Sequence, residues 1–172
     1  MTIHFGDSTS IATATGLGAK ILKYATFTHD GYATGNYTGG APNSSSMGYQ
    51  LFSTSYTPAA ADSTCVVISS SVTVNEASNF TNHFHLALWN GGGFVSAVGG
   101  AGRYTSFNSW LNVATLNYVG SFASGNTSAR NIMMRVGCGS GGTLYINGNP
   151  NSGGTISGSS NRFTALLLEI AA

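Results

Sequence analysis

Residues 81–90 read Thr-Asn-His-Phe-His-Leu-Ala-Leu-Trp-Asn, and their order decides the class of fold. Phe84, Leu86 and Leu88 take every second position, with His83, His85, Ala87 and Trp89 between them. Side chains two apart share a face in an extended strand, whereas a helix would scatter these three around its circumference. The stretch is therefore predicted to be a strand with one face in a core. The same alternation recurs on both sides of it. In 65–74, Val66, Ile68, Val72 and Val74 alternate with Val67, Ser69, Ser71 and Thr73. In 131–138, Ile132, Met134 and Val136 oppose Asn131, Met133 and Arg135. Shorter runs of the same character fall at 21–28, 47–54, 93–98, 113–121, 143–146 and 162–170, and Gly pairs within 91–93, 99–100, 141–142 and 153–154 mark turns between them. No window of a dozen residues sustains helical spacing. Eight or nine short strands with tight turns predict an all-β chain, a two-sheet antiparallel β-sandwich of jelly-roll type. Residues 1–20 are expected to form a short extended arm ahead of a single domain over 21–172. The stretches 29–46 and 99–112 are expected to be long loops.

The last predicted strand differs from the others. Phe163, Ala165 and Leu167 lie on one face and Leu166, Leu168 and Ile170 on the other. A strand that is apolar on both faces has to be covered on both. The second cover is expected to be another copy of the chain, with Phe163, Ala165 and Leu167 as the expected oligomer contacts.

Composition narrows the function. Among 172 residues, six Lys plus Arg and five Asp plus Glu make 6% charged, against roughly 25% in an ordinary soluble domain. Ser, Thr and Asn, about a third of the chain, supply the polarity instead. So little charge repulsion suits a protein held in an assembly better than one that stays alone in solution. The basic residues Lys20, Lys23, Arg103, Arg130, Arg135 and Arg162 are scattered and the net charge is +1, which excludes nucleic acid as an expected partner. Cys65 and Cys138 are too few for a disulfide framework and are read as small buried apolar residues. No basic patch followed by an apolar run opens the chain, so no signal peptide is expected, and no apolar run is long enough for a membrane helix.

Several segments together resemble the C-terminal modules of bacteriophage tail fibres, particularly those of marine and cyanobacterial phages. The opening Ile3-His4-Phe5-Gly6-Asp7-Ser8-Thr9 is similar to the run that precedes such modules. Ser55-Tyr56-Thr57-Pro58, Ser63 and the strand after it resemble their Thr-Pro turn. Gly141-Gly142-Thr143-Leu144-Tyr145-Ile146-Asn147 resembles their late hairpin, and Leu167-Leu168-Glu169-Ile170-Ala171 their closing strand. The resemblance implies a virion structural protein, trimeric, of tail-fibre type, with host surface glycan as an expected contact. The alternatives are a capsid decoration (cement) protein that stabilises the head, using Ile3, Phe5 and Ile11 of the arm for attachment, and a lectin-like carbohydrate-binding module.

Three constellations could carry chemistry. His83 and His85, two apart on a strand, would share a face and could hold a metal ion between copies, although no carboxylate or thiol stands near them in sequence. Trp89, Phe94, Arg103, Tyr104, Phe107 and Trp110 could form an aromatic platform for sugar rings, or else plug the end of the sandwich. Hydrolysis of a polysaccharide would require paired carboxylates, and the five acids Asp7, Asp30, Asp62, Glu76 and Glu169 are widely spaced. No Gly-x-Ser-x-Gly elbow, phosphate loop or dinucleotide fingerprint is present, so no enzymatic activity is expected.

Overall fold

The computed structural model describes residues 3–4, 10–11, 20–37, 48–77, 83–101, 104–106, 109–139, 142–149, 154–155 and 162–172. In chain order the strands are β1 (Ile3–His4), β2 (Ser10–Ile11), β3 (Ile21–Asp30), β4 (Ala33–Tyr37), β5 (Tyr49–Tyr56), β6 (Thr64–Ser69), β7 (Val72–Ala77), β8 (His83–Asn90) and β9 (Gly93–Ala101). They continue as β10 (Tyr104–Ser106), β11 (Ser109–Leu116), β12 (Val119–Ala123), β13 (Arg130–Cys138), β14 (Gly142–Ile146), β15 (Gly148–Asn149), β16 (Gly154–Thr155) and β17 (Arg162–Ile170). The described residues contain no helix, as the alternation requires.

The strands do not divide into two sheets as expected. They form a five-stranded sheet, β10-β11-β7-β14-β4, and two four-stranded sheets, β12-β6-β17-β3 and β5-β13-β8-β9, all antiparallel. Two-residue pairs β1-β2 and β15-β16 complete the set. The reason for the extra division lies at Ser69–Ser71. The stretch 65–74, which reads as one strand, is two: β6 pairs with β12 and β17 in one sheet, and β7 with β11 and β14 in another. Beside the break, 113–121 likewise splits into β11 and β12 around Asn117 and Tyr118. Hydroxyls replace the interrupted ladder. Tyr118 N donates to Ser69 Oγ at 2.9 Å while Ser69 N donates to Tyr118 O at 2.8 Å. Thr164 N donates to Ser70 Oγ at 2.8 Å, and Ser70 N to Thr164 O at 2.7 Å. These bonds satisfy the backbone N–H groups of Ser69, Ser70, Tyr118 and Thr164 while the chain passes from sheet to sheet.

The break also shifts the side-chain phase by one residue. Cys65, Val67 and Ser69 are buried before it and Val72 and Val74 after it, so Val66 and Ile68 leave the core face assigned to them by continuous alternation. In β8 and β13 the expected faces hold: Phe84, Leu86, Leu88, Ile132, Met134 and Val136 are fully buried. With Phe163, Ala165 and Leu167 from β17 and Leu144 and Ile146 from β14 they make one core shared by all three sheets. Each such Leu or Ile side chain stabilises the fold by about 1.5–3 kcal/mol, and truncating one to Ala costs about 2–5 kcal/mol.

The two expected loops contain strands. Ala33–Tyr37 pairs with β14 as the edge of the five-stranded sheet, with Gly35 opposite Leu144. In the second, β9 runs on to Ala101, and β10 and β11 pair with Thr105 opposite Trp110. The expected extended arm also folds back on itself, since Ile3 lies opposite Ile11.

Candidate functional site

The sheet β12-β6-β17-β3 has β17 near its middle, between β6 and β3. One face of β17, made of Phe163, Ala165, Leu167 and Glu169, is fully buried in the chain's own core. This corrects the expected oligomer contact: Phe163, Ala165 and Leu167 have no surface left for a second copy, because the sheets β5-β13-β8-β9 and β10-β11-β7-β14-β4 already cover them. The other face remains half-buried at Leu166, Leu168 and Ile170.

Register places the neighbours of that outer face. Leu168 is flanked by Tyr24 of β3 and Val66 of β6, Leu166 by Thr26 and Ile68, and Ile170 by Ile21 and Thr64. Val119 of β12 lies beside Ile68. Directly paired residues share a face, so Ile21, Tyr24, Val66, Ile68, Val119, Leu166, Leu168 and Ile170 form one apolar surface. Their exposure is high for such side chains: Ile21 38%, Tyr24 57%, Ile68 40% and Val119 64%. Among the described residues only Phe94 is a comparably exposed large apolar side chain away from this face. Ser121, Thr26, Thr28, Thr64 and Thr164 are its uncharged polar members. Its charge sits at one end, where Arg162 Nε and Asp30 Oδ1 form an exposed ion pair. Apart from that ion pair the face is apolar or hydroxyl-bearing, with no charge across it.

Beneath this surface lies a heavily bonded carboxylate whose role sequence reasoning missed. Glu169 interrupts the apolar last strand and is fully buried. Its carboxylate accepts from Tyr56 Oη at 2.7 Å, Ser63 Oγ at 2.6 Å, Ala59 N at 2.8 and 2.9 Å, and Ala60 N at 3.0 Å. Burial alone would raise its pKa; the hydrogen bonds from Ser63, Tyr56, Ala59 and Ala60 outweigh that and hold it down at about 2. Burial, reinforced by Glu169, raises the Tyr56 phenol well above its ordinary range, and pushes the adjacent Cys65 thiol up to about 11 against a lowering by Arg130. Lys23 closes the cluster from outside, its Nζ 4.8 Å from the centre of the Tyr56 ring and donating to Thr57 O at 2.8 Å. The carboxylate thereby ties the Thr-Pro turn to the last strand. Bonded on both oxygens and shut away from solvent, it is a structural anchor.

The aromatic candidates separate. Trp89 is 1% exposed and packs with Ala87 against Ala97 and Met133, so it is a core residue and no part of a surface platform. Phe94 is exposed and meets the edge of Trp89, ring centres 5.7 Å apart. Tyr104 and Trp110 occupy neighbouring strands, though not directly opposed positions, and their side chains lie outside the described residues, as do Arg103, Phe107 and Phe5 entirely. Ile3 and Ile11 are placed only as a backbone pair. His85 is half-buried on β8, and the side chain of His83 lies outside the described residues. Among the described residues no group of three His, Cys, Asp or Glu side chains could hold a metal ion, and no helix is long and apolar enough to cross a membrane.

No family model and no curated protein matches the chain. Solved structures do. A chain from the structure of infectious bursal disease virus Gt strain aligns over 88% of this chain at 14% identity, with a TM-score of 0.35. A chain from the crystal structure of the VP2 subviral particle of the same virus aligns over 87% at 13% identity, with a TM-score of 0.35. One from its T13 viral particle aligns over 87% at 14% identity, with a TM-score of 0.33. The chain spans about two fifths of the length of those it matches, 39%, 42% and 39%.

Proposed function

We propose that this chain is a structural protein of a virus particle and that it assembles with copies of itself through the outer face of the sheet β12-β6-β17-β3. The observation that carries the reading is the apolar face built from Ile21, Tyr24, Val66, Ile68, Val119, Leu166, Leu168 and Ile170, on a chain with only 6% charged residues. A second copy of the same face is chemically complementary to it: apolar to apolar, with no charge stranded between. Four strands spaced about 4.8 Å apart and about five residues long present only some 300 Å² per copy, well short of the roughly 800 Å² that a stable pair buries on each side. Such a contact is useful where several are made at once, as in a trimer or a repeating shell. The motifs shared with phage tail-fibre modules, from Ile3 to Ala171, support a trimeric, tail-fibre-type protein with host surface glycan as its target.

The test is the mass of the purified protein in solution by light scattering, set against Leu168→Lys and Ile68→Lys. The unaltered chain is expected as a trimer and both variants as folded monomers. A monomeric unaltered chain, or variants that keep its oligomeric mass, would sink the assignment of this face. Electron microscopy of the intact particle then fixes the site: density on the tail supports the fibre, and density on the capsid lattice replaces it with decoration.

A further inference from the structure

The sheet β12-β6-β17-β3 is antiparallel throughout, so an odd number of reversals separates its first strand from its last. Its two edges, β12 and β3, therefore run in opposite directions, and neither has a second partner in the sheet among the described residues. A sheet of this kind can follow itself head to tail about an axis parallel to its strands. At every junction β12 of one copy then runs antiparallel to β3 of the next. Register sets the levels across the sheet. Val119, Ile68, Leu166 and Thr26 stand on one level, Ser121, Val66, Leu168 and Tyr24 on the next, and Ala123, Thr64, Ile170 and Ile21 on the third. The outward side chains of β12 are thus the small ones Val119, Ser121 and Ala123, all exposed. They are level with Thr26, Tyr24 and Ile21 at the other edge, which are exposed too.

Resting on the reading that copies join through this face, we infer that three copies close around a threefold axis with their apolar faces inward, each sheet forming one side of a triangular prism. Width decides the number. Four strands about 4.8 Å apart make a side about 19 Å wide, which lies about 5.5 Å from the axis of such a prism. That is about half of the roughly 10 Å between packed sheets, so the side chains of β6 and β17 from three copies meet at the axis and fill it. A side of six strands would stand about 8 Å away and leave a hollow. Two copies stacked face to face cover the middle of a sheet best and leave its edges wet. Yet the most exposed large apolar side chains of the described residues, Val119 and Tyr24, are at the edges. The corners are the narrowest places of the prism, and there a small residue of one copy stands beside a larger one of the next, Ser121 beside Tyr24 and Ala123 beside Ile21. The ion pair of Asp30 and Arg162 lies beyond the level at which β12 begins, and stays in water at the mouth of the prism.

The experiment is disulfide capture in the full chain. Ser121→Cys and Tyr24→Cys are combined in one protein, which is treated with oxidised glutathione and run on a denaturing gel without reductant. Within one chain these positions are three strand spacings apart, about 14 Å, whereas a bridge needs Cα atoms within about 7 Å. Cys65 and Cys138 are buried, so the introduced thiols take the oxidant. The double variant is expected mostly as covalent trimer. Each single variant should stay uncrosslinked, because equivalent positions of two copies are about 19 Å apart, the width of a side. The pair Val119→Cys and Thr26→Cys, on the adjoining level, repeats the test should the first pair disturb the sheet. Light scattering of the unaltered chain separates the two readings. A trimeric mass with no covalent trimer from either pair overturns the prism and leaves assembly through the face standing in another arrangement. Covalent dimer as the end product, or crosslinking of a single variant, marks a twofold pair and overturns the prism as well. A monomeric mass sinks assembly through the face, and the prism with it.

Discussion

Replacing Glu169 with Gln should remove most of what ties the Thr-Pro turn to the last strand. Its two oxygens receive two hydroxyl protons and the amides of Ala59 and Ala60. Gln keeps one acceptor oxygen and turns the other into an NH2 group that confronts the Ala59 amide, donor against donor. Folding lowers the carboxyl from 4.5 to about 2, and 1.36 kcal/mol per unit makes the ionised form worth about 3 kcal/mol more than the protonated one. The folded-state value is the depressed one, so this stabilisation is fully present above about pH 4.5 and is lost as pH falls toward 2. Urea unfolding at fixed protein concentration, at pH 7 and at pH 3, measures it. Glu169→Gln should unfold about 3 kcal/mol more easily at pH 7, and the gap between the two proteins should shrink by at least half at pH 3. A gap below about 1 kcal/mol at pH 7 would refute the reasoning. So would a gap of the same size at both pH values, since only a titrating carboxylate makes it depend on pH.

Two further outcomes follow from groups in the same layers. His29 sits where β3 meets β5, edge-on to Tyr49 with ring centres 5.5 Å apart, and its buried Nε2 has no partner among the described residues. Burial lowers its pKa, against Asp30 and the Leu51 backbone, which raise it. The unfolded chain therefore binds this proton more readily, and stability should decline as pH falls below 6.5, a slope that His29→Gln removes in unfolding curves between pH 7 and 5. The Cys65 thiol, fully buried and pushed up to about 11, should resist a disulfide reagent such as dithionitrobenzoate at pH 8 in the native protein and react at once in urea. Fast reaction in the native state would mean that the turn over Glu169 opens readily.

Much of the strand content was legible because alternation is a local signal. The stretch 162–170 was read with the bounds that β17 has, and Phe84, Leu86 and Leu88 were assigned to the core face they occupy. The break at Ser69–Ser71 was not legible. Three serines continue a strand pattern plausibly, and what makes them a crossing point is their bonding to Tyr118 and Thr164, distant in sequence. That single slip sent Val66 and Ile68 to the wrong side and hid two of the eight residues of the apolar outer face. The last strand is apolar on both faces, and alternation alone cannot say which of the two is inward. Glycine-rich composition disguised Ala33–Tyr37 and the end of β9 as loop, because edge pairing depends on a partner strand more than on propensity. Glu169 was visible as a lone acid in an apolar run, yet its donors stand 106 to 113 residues earlier.

The position of β17 also has a consequence in time. It is the last of these strands to leave the ribosome, yet it lies inside its sheet, hydrogen-bonded to β6 on one side and β3 on the other. Until it arrives, β3 has no partner in that sheet and the surface that would join two copies does not exist. The strand that completes the sheet thus sets the order in which it can form, since β6 and β12 can pair beforehand and β3 cannot.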